Sequence, residues 1–132
     1  MRFLLDTDTC LYAIRKHTRV LDRIASHRRP DVAISVITEC ELRFGAAKSG
    51  APTRMFRTLE AFLLPLEILE FTSADAVAYA EVRATLERAG TPMGPLDTLI
   101  AAHARAQSLV LVTNNEREFR RVAGLRVENW TN

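Results

Sequence analysis

Three carboxylates stand where the apolar pattern of the chain points to burial. Asp6 ends the strand-like run Phe3-Leu4-Leu5 and is followed at once by Thr7 and Asp8. Glu41 falls on a helical arc with Ile37, Cys40, Phe44 and Ala47, whereas Glu39 points the opposite way. Asp97 falls among Leu96, Ile100, Ala101 and Ala104. An acid on a buried face is expensive unless it is paired or bound to a cation. Carboxylates held a few ångströms apart repel, and some must take up protons unless a cation lies between them. Mg²⁺ or Mn²⁺ suits oxygen ligands, keeps several waters, and binds through a few carboxylates together with substrate phosphate oxygens. Such a metal turns a bound water into a nucleophile, so the chemistry implied is hydrolysis of a phosphodiester or phosphate ester. The chain has no Cys/His set with zinc spacing, no GxxxxGK[ST] loop and no GxSxG.

Simpler explanations exist for single residues. Asp97 lies in the first turn of its helix, after Gly94-Pro95, where an acid complements the helix dipole. Thr113-Asn114-Asn115 can be an ordinary polar turn. Three acids directed independently to one sheet face are harder to attribute to chance.

The elements that must position these acids alternate from end to end. Strands are predicted over Arg2 to Leu5, Val32 to Ser35, Leu66 to Leu69 and Leu109 to Thr113, with a weaker one in Leu125 to Asn129. Helices are predicted over Thr9 to Lys16, Val20 to Ser26, Ile37 to Lys48, Thr53 to Leu63, Ser73 to Ala89 and Leu96 to Gln107. The fifth of these has a capping-box start in Thr72 and Asp75 and a stop in Gly90 and Pro92. This alternation predicts an α/β fold, a parallel sheet of about five strands with helices on both faces. Ligands of such sheets sit beyond the carboxyl ends of the strands, where strand order reverses, and Asp6 lies at such an end.

The 132 residues, 48% hydrophobic and 26% charged, suit one globular domain over residues 1–132. No apolar run is long enough for a membrane span, and the early acid argues against a secretory leader, so the cytoplasm is the expected compartment. Cys10 and Cys40 read as two reduced, buried thiols. His103 reads as a packed helix histidine, His17 and His27 as surface residues. The net charge of +2, with basic clusters at Arg15-Lys16, His27-Arg28-Arg29 and Arg117, Arg120, Arg121, permits a polyanionic partner without demanding one.

"LLDTD", "ISVITECELRFGA", "GPLDTLIAAHA" and "LVTNNEREF", in this order, resemble the PIN-domain ribonuclease toxins, the VapC proteins of toxin–antitoxin pairs, from end to end. The "GPLD" and "TNNEREF" wording is similar to the subgroup associated with initiator-tRNA cleavage. The resemblance implies a three-layer α/β/α PIN domain in which Asp6, Glu41 and Asp97 bind Mg²⁺ or Mn²⁺, with Thr7 as the small polar residue beside the first acid. It implies an endoribonuclease leaving 5′-phosphate and 3′-hydroxyl ends, with a tRNA anticodon loop as substrate. It also implies a homodimer silenced by a small VapB-type antitoxin, through which alone operator DNA is bound. Relatives often carry Asp where this chain has Asn115, and commonly Asn where it has Asp8. A second metal site is then weak, water-mediated or completed by Glu118, three alternatives left open. Arg15, Lys16 and Arg83 are candidate RNA contacts.

Two rivals remain at this level. "DTDTC" nearly reproduces the DxDxT opening of aspartyl-nucleophile phosphatases, but the Thr falls one place early and no later Lys and Gly-Asp motif follows. A catalytically degenerate PIN domain retained for binding RNA or protein is the other, suggested by Asn115.

Overall fold

The computed structural model describes residues 2–132. Along it run β1 (Phe3–Leu5), α1 (Thr7–Ile14), α2 (Thr18–Ala25), a 3₁₀ turn (Arg29–Asp31), β2 (Val32–Ser35), α3 (Val36–Ala47) and α4 (Pro52–Leu63). These are followed by β3 (Glu67–Leu69), α5 (Ser73–Arg88), α6 (Pro95–Ala106), β4 (Val110–Val112), α7 (Glu116–Phe119) and β5 (Arg126–Glu128). The strands form one wholly parallel sheet in the order β3-β2-β1-β4-β5, with Leu5 level with Ile34 on one side and Val112 on the other. The chain winds outward from β1 in one direction and then in the other, so strand order reverses between β1 and β4, and Asp6 follows β1 at that point.

Side chains alternate across a strand, and this divides the core in two. Phe3, Leu5, Val32, Ile34, Val110 and Val112 meet Cys10, Ala13, Val20, Leu42, Leu59, Leu63 and Trp130 on one face. Leu4, Ala33 and Leu111 meet Val82, Leu86, Ile100, Ala101, Phe119 and Val122 on the other. Both faces of the central strands are covered, giving the three-layer α/β/α arrangement the sequence predicts.

The caps account for most differences at helix ends. α1 starts at Thr7 rather than Thr9 because Asp6 caps it, and α2 starts at Thr18 because His17 Nδ1 accepts from the Val20 N–H at 3.4 Å. At the start of α5, the Thr72 N–H donates to Asp75 Oδ2 at 2.7 Å, as the capping box requires. That helix ends on Gly90, whose φ of 74° lets the Thr91 N–H reach the Leu86 carbonyl at 2.9 Å. α1 ends by the same geometry, the His17 N–H donating to the Tyr12 carbonyl at 2.9 Å, but here Lys16 occupies the left-handed position with φ 67°. A side chain is strained there. Lys16→Gly is therefore expected to stabilise the protein by about 0.5–1 kcal/mol, or roughly 2–4 °C in Tm, checked by thermal melts of both proteins.

Several expectations are corrected. Cys10 is buried, but Cys40 is exposed on α3. His27 is half-buried, stacked on Trp130 and tilted against Phe3. α7 and the 3₁₀ turn are too short to leave a periodic signal.

Candidate active site

Asp6 is 3% exposed. Its backbone N–H donates to the Val112 carbonyl at 3.0 Å, continuing the pairing of β1 with β4. Its Oδ1 accepts from the Thr9 N–H at 2.8 Å, the N-cap bond of α1. The Thr113 hydroxyl donates to the same carboxyl and accepts from the Asn115 N–H at 2.9 Å, so the turn after β4 props Asp6 from the other side. Burial raises the Asp6 pKa, and the bonds from Thr113 and Thr9 only partly offset it. The next turn of α1 carries Cys10, whose thiol is pushed well above its usual range by burial and by the Asp6 charge.

Glu41 reaches the same corner from α3. Its Oε1 accepts from the Thr7 hydroxyl at 2.6 Å, and that hydroxyl also lies 3.3 Å from the Thr38 hydroxyl. The arc that led to Glu41 is itself corrected. The buried residues of α3 are Thr38, Leu42 and Ala46, whereas Cys40, Phe44 and Ala47 are exposed, Phe44 at 64%. Cys40 and Phe44 line a groove of about 820 Å³ that Glu41 lines as well. Their apolar character belongs to a groove wall rather than to the core. Glu39 lies apart, as expected, bonded to Arg43 at 2.9 Å.

Asp97 comes from the first turn of α6. The N-cap of this helix, Gly94, makes no side-chain capping bond, and Asp97 lies where an acid complements the helix dipole. Its neighbour Leu96 is also turned out, 44% exposed, and lines the groove. Burial pushes the Asp97 carboxyl up to about 6, and the surrounding negative charges of Glu118, Asp6, Glu41 and Asp8 add to it. Those four neighbours come from α7, β1 with its following cap, α3 and α1. The three predicted acids therefore share one electrostatic environment with two of the secondary candidates.

Asn115 is not free to act alone, because its Nδ2 donates to Glu118 Oε2 at 2.7 Å. Thr7 and Asp8 line the groove beside Glu41. Among the candidate RNA contacts, Arg15 lines the groove, whereas Lys16 does not. Arg83 is turned along its own helix to Glu87 and Tyr79, at 2.9 and 2.8 Å. Lys48, which sequence reasoning passed over, lines the groove with its ammonium 5.0 Å from the centre of the Phe44 ring.

Among the described residues, none of Asp6, Asp8, Glu41, Asp97 and Glu118 has a Lys or Arg partner at ion-pair distance. Nor do any three His, Cys, Asp or Glu side chains among them stand ready-made around one point. An all-oxygen set, sparse and short of positive charge, fits a hard divalent cation that keeps much of its water, and does not fit zinc.

The chain can now be compared with known proteins. Residues 3–125 match the PIN domain family. The tRNA(fMet)-specific endonuclease VapC of Salmonella typhimurium is 42% identical over 130 residues, 98% of each chain. That of Shigella flexneri is 39% identical over 131 residues, 99% of each. Among solved structures, DNA-bound VapBC from Salmonella typhimurium superimposes with a TM-score of 0.94 at 42% identity, covering 98% of both chains. VapBC2 from Rickettsia felis, bound to a DNA fragment from its promoter, gives 0.92 at 38% identity over 98% of this chain and 99% of that one. A five-stranded parallel sheet with acids gathered where its strand order reverses, and relatives of this identity over their full length, lead to one conclusion: the chain belongs to the PIN-domain family, as a VapC-type endoribonuclease toxin.

Proposed function

We propose that this protein is a Mg²⁺- or Mn²⁺-dependent endoribonuclease that cuts a tRNA anticodon loop, the initiator tRNA being the best candidate, and is neutralised by a VapB-type antitoxin. The observation that carries the metal dependence is the convergence of Glu118, Asp6, Glu41 and Asp8 on Asp97 without a compensating cation. Asp6, Glu41 and Asp97 would hold the ion. Bound there, a hard cation lowers the pKa of a coordinated water and neutralises charge on the phosphate. The chain's own residues do the rest. Thr9 and Thr113 fix the Asp6 carboxyl, and Thr7 orients Glu41. The tRNA assignment is supported by the names of the relatives and by chemistry, since an exposed single-stranded loop offers a backbone that a duplex does not.

The groove supplies the path for substrate. Thr7, Asp8 and Glu41 mark its acidic region, and Arg15 and Lys48 are the residues that close α1 and α3. RNA phosphates would be drawn by the two cations. Its apolar wall of Leu11, Leu42, Met55 and Leu59 also suits an antitoxin segment. No helix among the described residues is long and apolar enough to cross a membrane; the cytoplasm is the place of action proposed for a toxin that cuts tRNA. The assembly would be a homodimer, joined by antitoxin that brings any operator DNA.

Incubating the protein with total RNA and Mg²⁺ or Mn²⁺, with an EDTA control, and mapping the cut ends tests this function. Metal-dependent cuts in an anticodon loop are expected; RNA left whole, or cleaved equally in EDTA, would overturn it. A second prediction concerns the cations. Arg15→Gln and Lys48→Gln should each weaken RNA binding by severalfold and flatten the log–log salt dependence by about 0.7, read by titrations with a single-stranded RNA at several salt concentrations.

A further inference from the structure

Three fully buried polar side chains stand together that the proposed chemistry does not use: Ser35 and His103 are hydrogen-bonded, and Asp75 lies across from the imidazole nitrogen that has no hydrogen-bond partner. His103 Nδ1 lies 2.8 Å from Ser35 Oγ, and His103 Nε2 lies 3.6 Å from Asp75 Oδ2, with all three residues at 0% exposure. Each end is tied further. Ser35 Oγ accepts the Ile37 N–H at 3.0 Å as the N-cap of α3. Asp75 accepts from the Thr72 N–H at 2.7 Å and from Gln107 Nε2 at 2.8 Å, joining the start of α5 to the end of α6. Phe71 packs its ring edge-on to the imidazole.

His103 Nε2 makes no hydrogen bond but faces the Asp75 carboxylate at 3.6 Å, and that nearby negative charge favours the hydrogen on Nε2. Burial holds the imidazole below its usual range against the pull of Asp75, which keeps it neutral at neutral pH. Nδ1 is then an acceptor. The Ser35 hydroxyl then donates to it, while its oxygen receives the Ile37 N–H. The result is a polar bolt with one allowed sense, running from α3 through the end of β2 into α6.

Glu41 stands six residues beyond Ser35, and Asp97 six residues before His103. The bolt therefore fixes the two helices that deliver the opposing acids. We propose that His103 and Ser35 are positioning residues of the metal site: their hydrogen bond sets the placement of α6 against α3, and so the approach of Asp97 to Glu41. This inference rests on the function proposed above.

The test uses Asn and Gln as unequal replacements for the imidazole. In His103→Asn the amide oxygen takes the place of Nδ1 and can accept from Ser35, whereas in His103→Gln the amide takes the place of Nε2 and leaves Ser35 without its partner. Ser35→Ala removes the bolt from the other side and stands in if the Gln variant does not fold. Mn²⁺ affinity, from the free-ion paramagnetic resonance signal, and the metal-free amide chemical shifts of Glu41 and Asp97 are measured on the full chain beside thermal melts. His103→Asn should bind Mn²⁺ within about threefold of the parent, and His103→Gln and Ser35→Ala should lose about tenfold or more, as losses of ligand-orienting residues do. The amide shifts should move in the latter two alone. Equal losses in the Asn and Gln variants, or parent-like Mn²⁺ binding and amide shifts in folded Gln or Ala variants, would overturn the inference. If the parent itself binds no Mn²⁺, the proposed metal dependence fails, and the metal-free amide shifts decide the positioning role by themselves.

Discussion

Asp6→Asn is expected to cut RNA cleavage by on the order of a hundredfold or more while leaving the protein folded. The amide is nearly isosteric at a site 3% exposed. Its oxygen can still accept the Thr9 N–H that starts α1, and Asn serves as an N-cap about as well as Asp. What disappears is the charge that a cation would need. Asp6 is also held above its ordinary pKa by burial, so replacing it relieves a desolvation cost rather than adding one. Single-turnover cleavage with Mn²⁺ and metal-free melts check the two halves separately. A variant that cleaves like its parent contradicts the role given to Asp6, and a covalent phosphate on Asp6 in the parent would restore the phosphatase alternative.

Asp97→Asn is expected to raise metal-free stability at pH 7 by about 1–3 kcal/mol, taking about 1.4 kcal/mol per pH unit and allowing for screening at a half-buried site. The sign follows from the direction of the shift. The folded carboxyl titrates at about 6 against an ordinary 3.8. Between those values the folded protein keeps a proton that the unfolded chain releases, so stability falls as pH rises through that window, and the penalty is complete above it. The Asn variant lacks this loss. His103 and Asp75, both lowered, act in the opposite sense, losing stability as pH falls through the ordinary histidine and carboxylate ranges. The diagnostic quantity is thus the difference between parent and variant across pH 4 to 7, from chemical denaturation. Mn²⁺ should stabilise the parent, by about 2.7 kcal/mol at a hundred times its dissociation constant, and the variant much less.

The sheet was legible because its three central strands are buried, mostly apolar runs bounded by Asp or Asn, and the helix caps were legible where side chains make them, as at Thr72 and Asp75. Asp6 could be read because an acid ending a buried strand has few alternatives. Glu41 was reached through a misleading arc. Cys40, Phe44 and Leu96 are apolar, yet they line an open groove, and periodicity does not distinguish a groove wall from a core. The props of the site were hidden for another reason. The Thr113 bond to Asp6 and the Ser35–His103 pair join segments far apart in the chain, 68 residues in the second case, and no local spacing encodes them. The same holds for Arg83, whose basic charge suggested RNA but whose partners one turn away on α5 occupy it.

The central claim is that Asp6, Glu41 and Asp97 serve one hard cation. Anomalous diffraction from crystals soaked in Mn²⁺ measures this most directly. The account predicts a manganese peak among these three carboxylates, lost in the Asp6→Asn protein. A saturating soak that leaves this corner without a peak, or places the ion elsewhere, would contradict it.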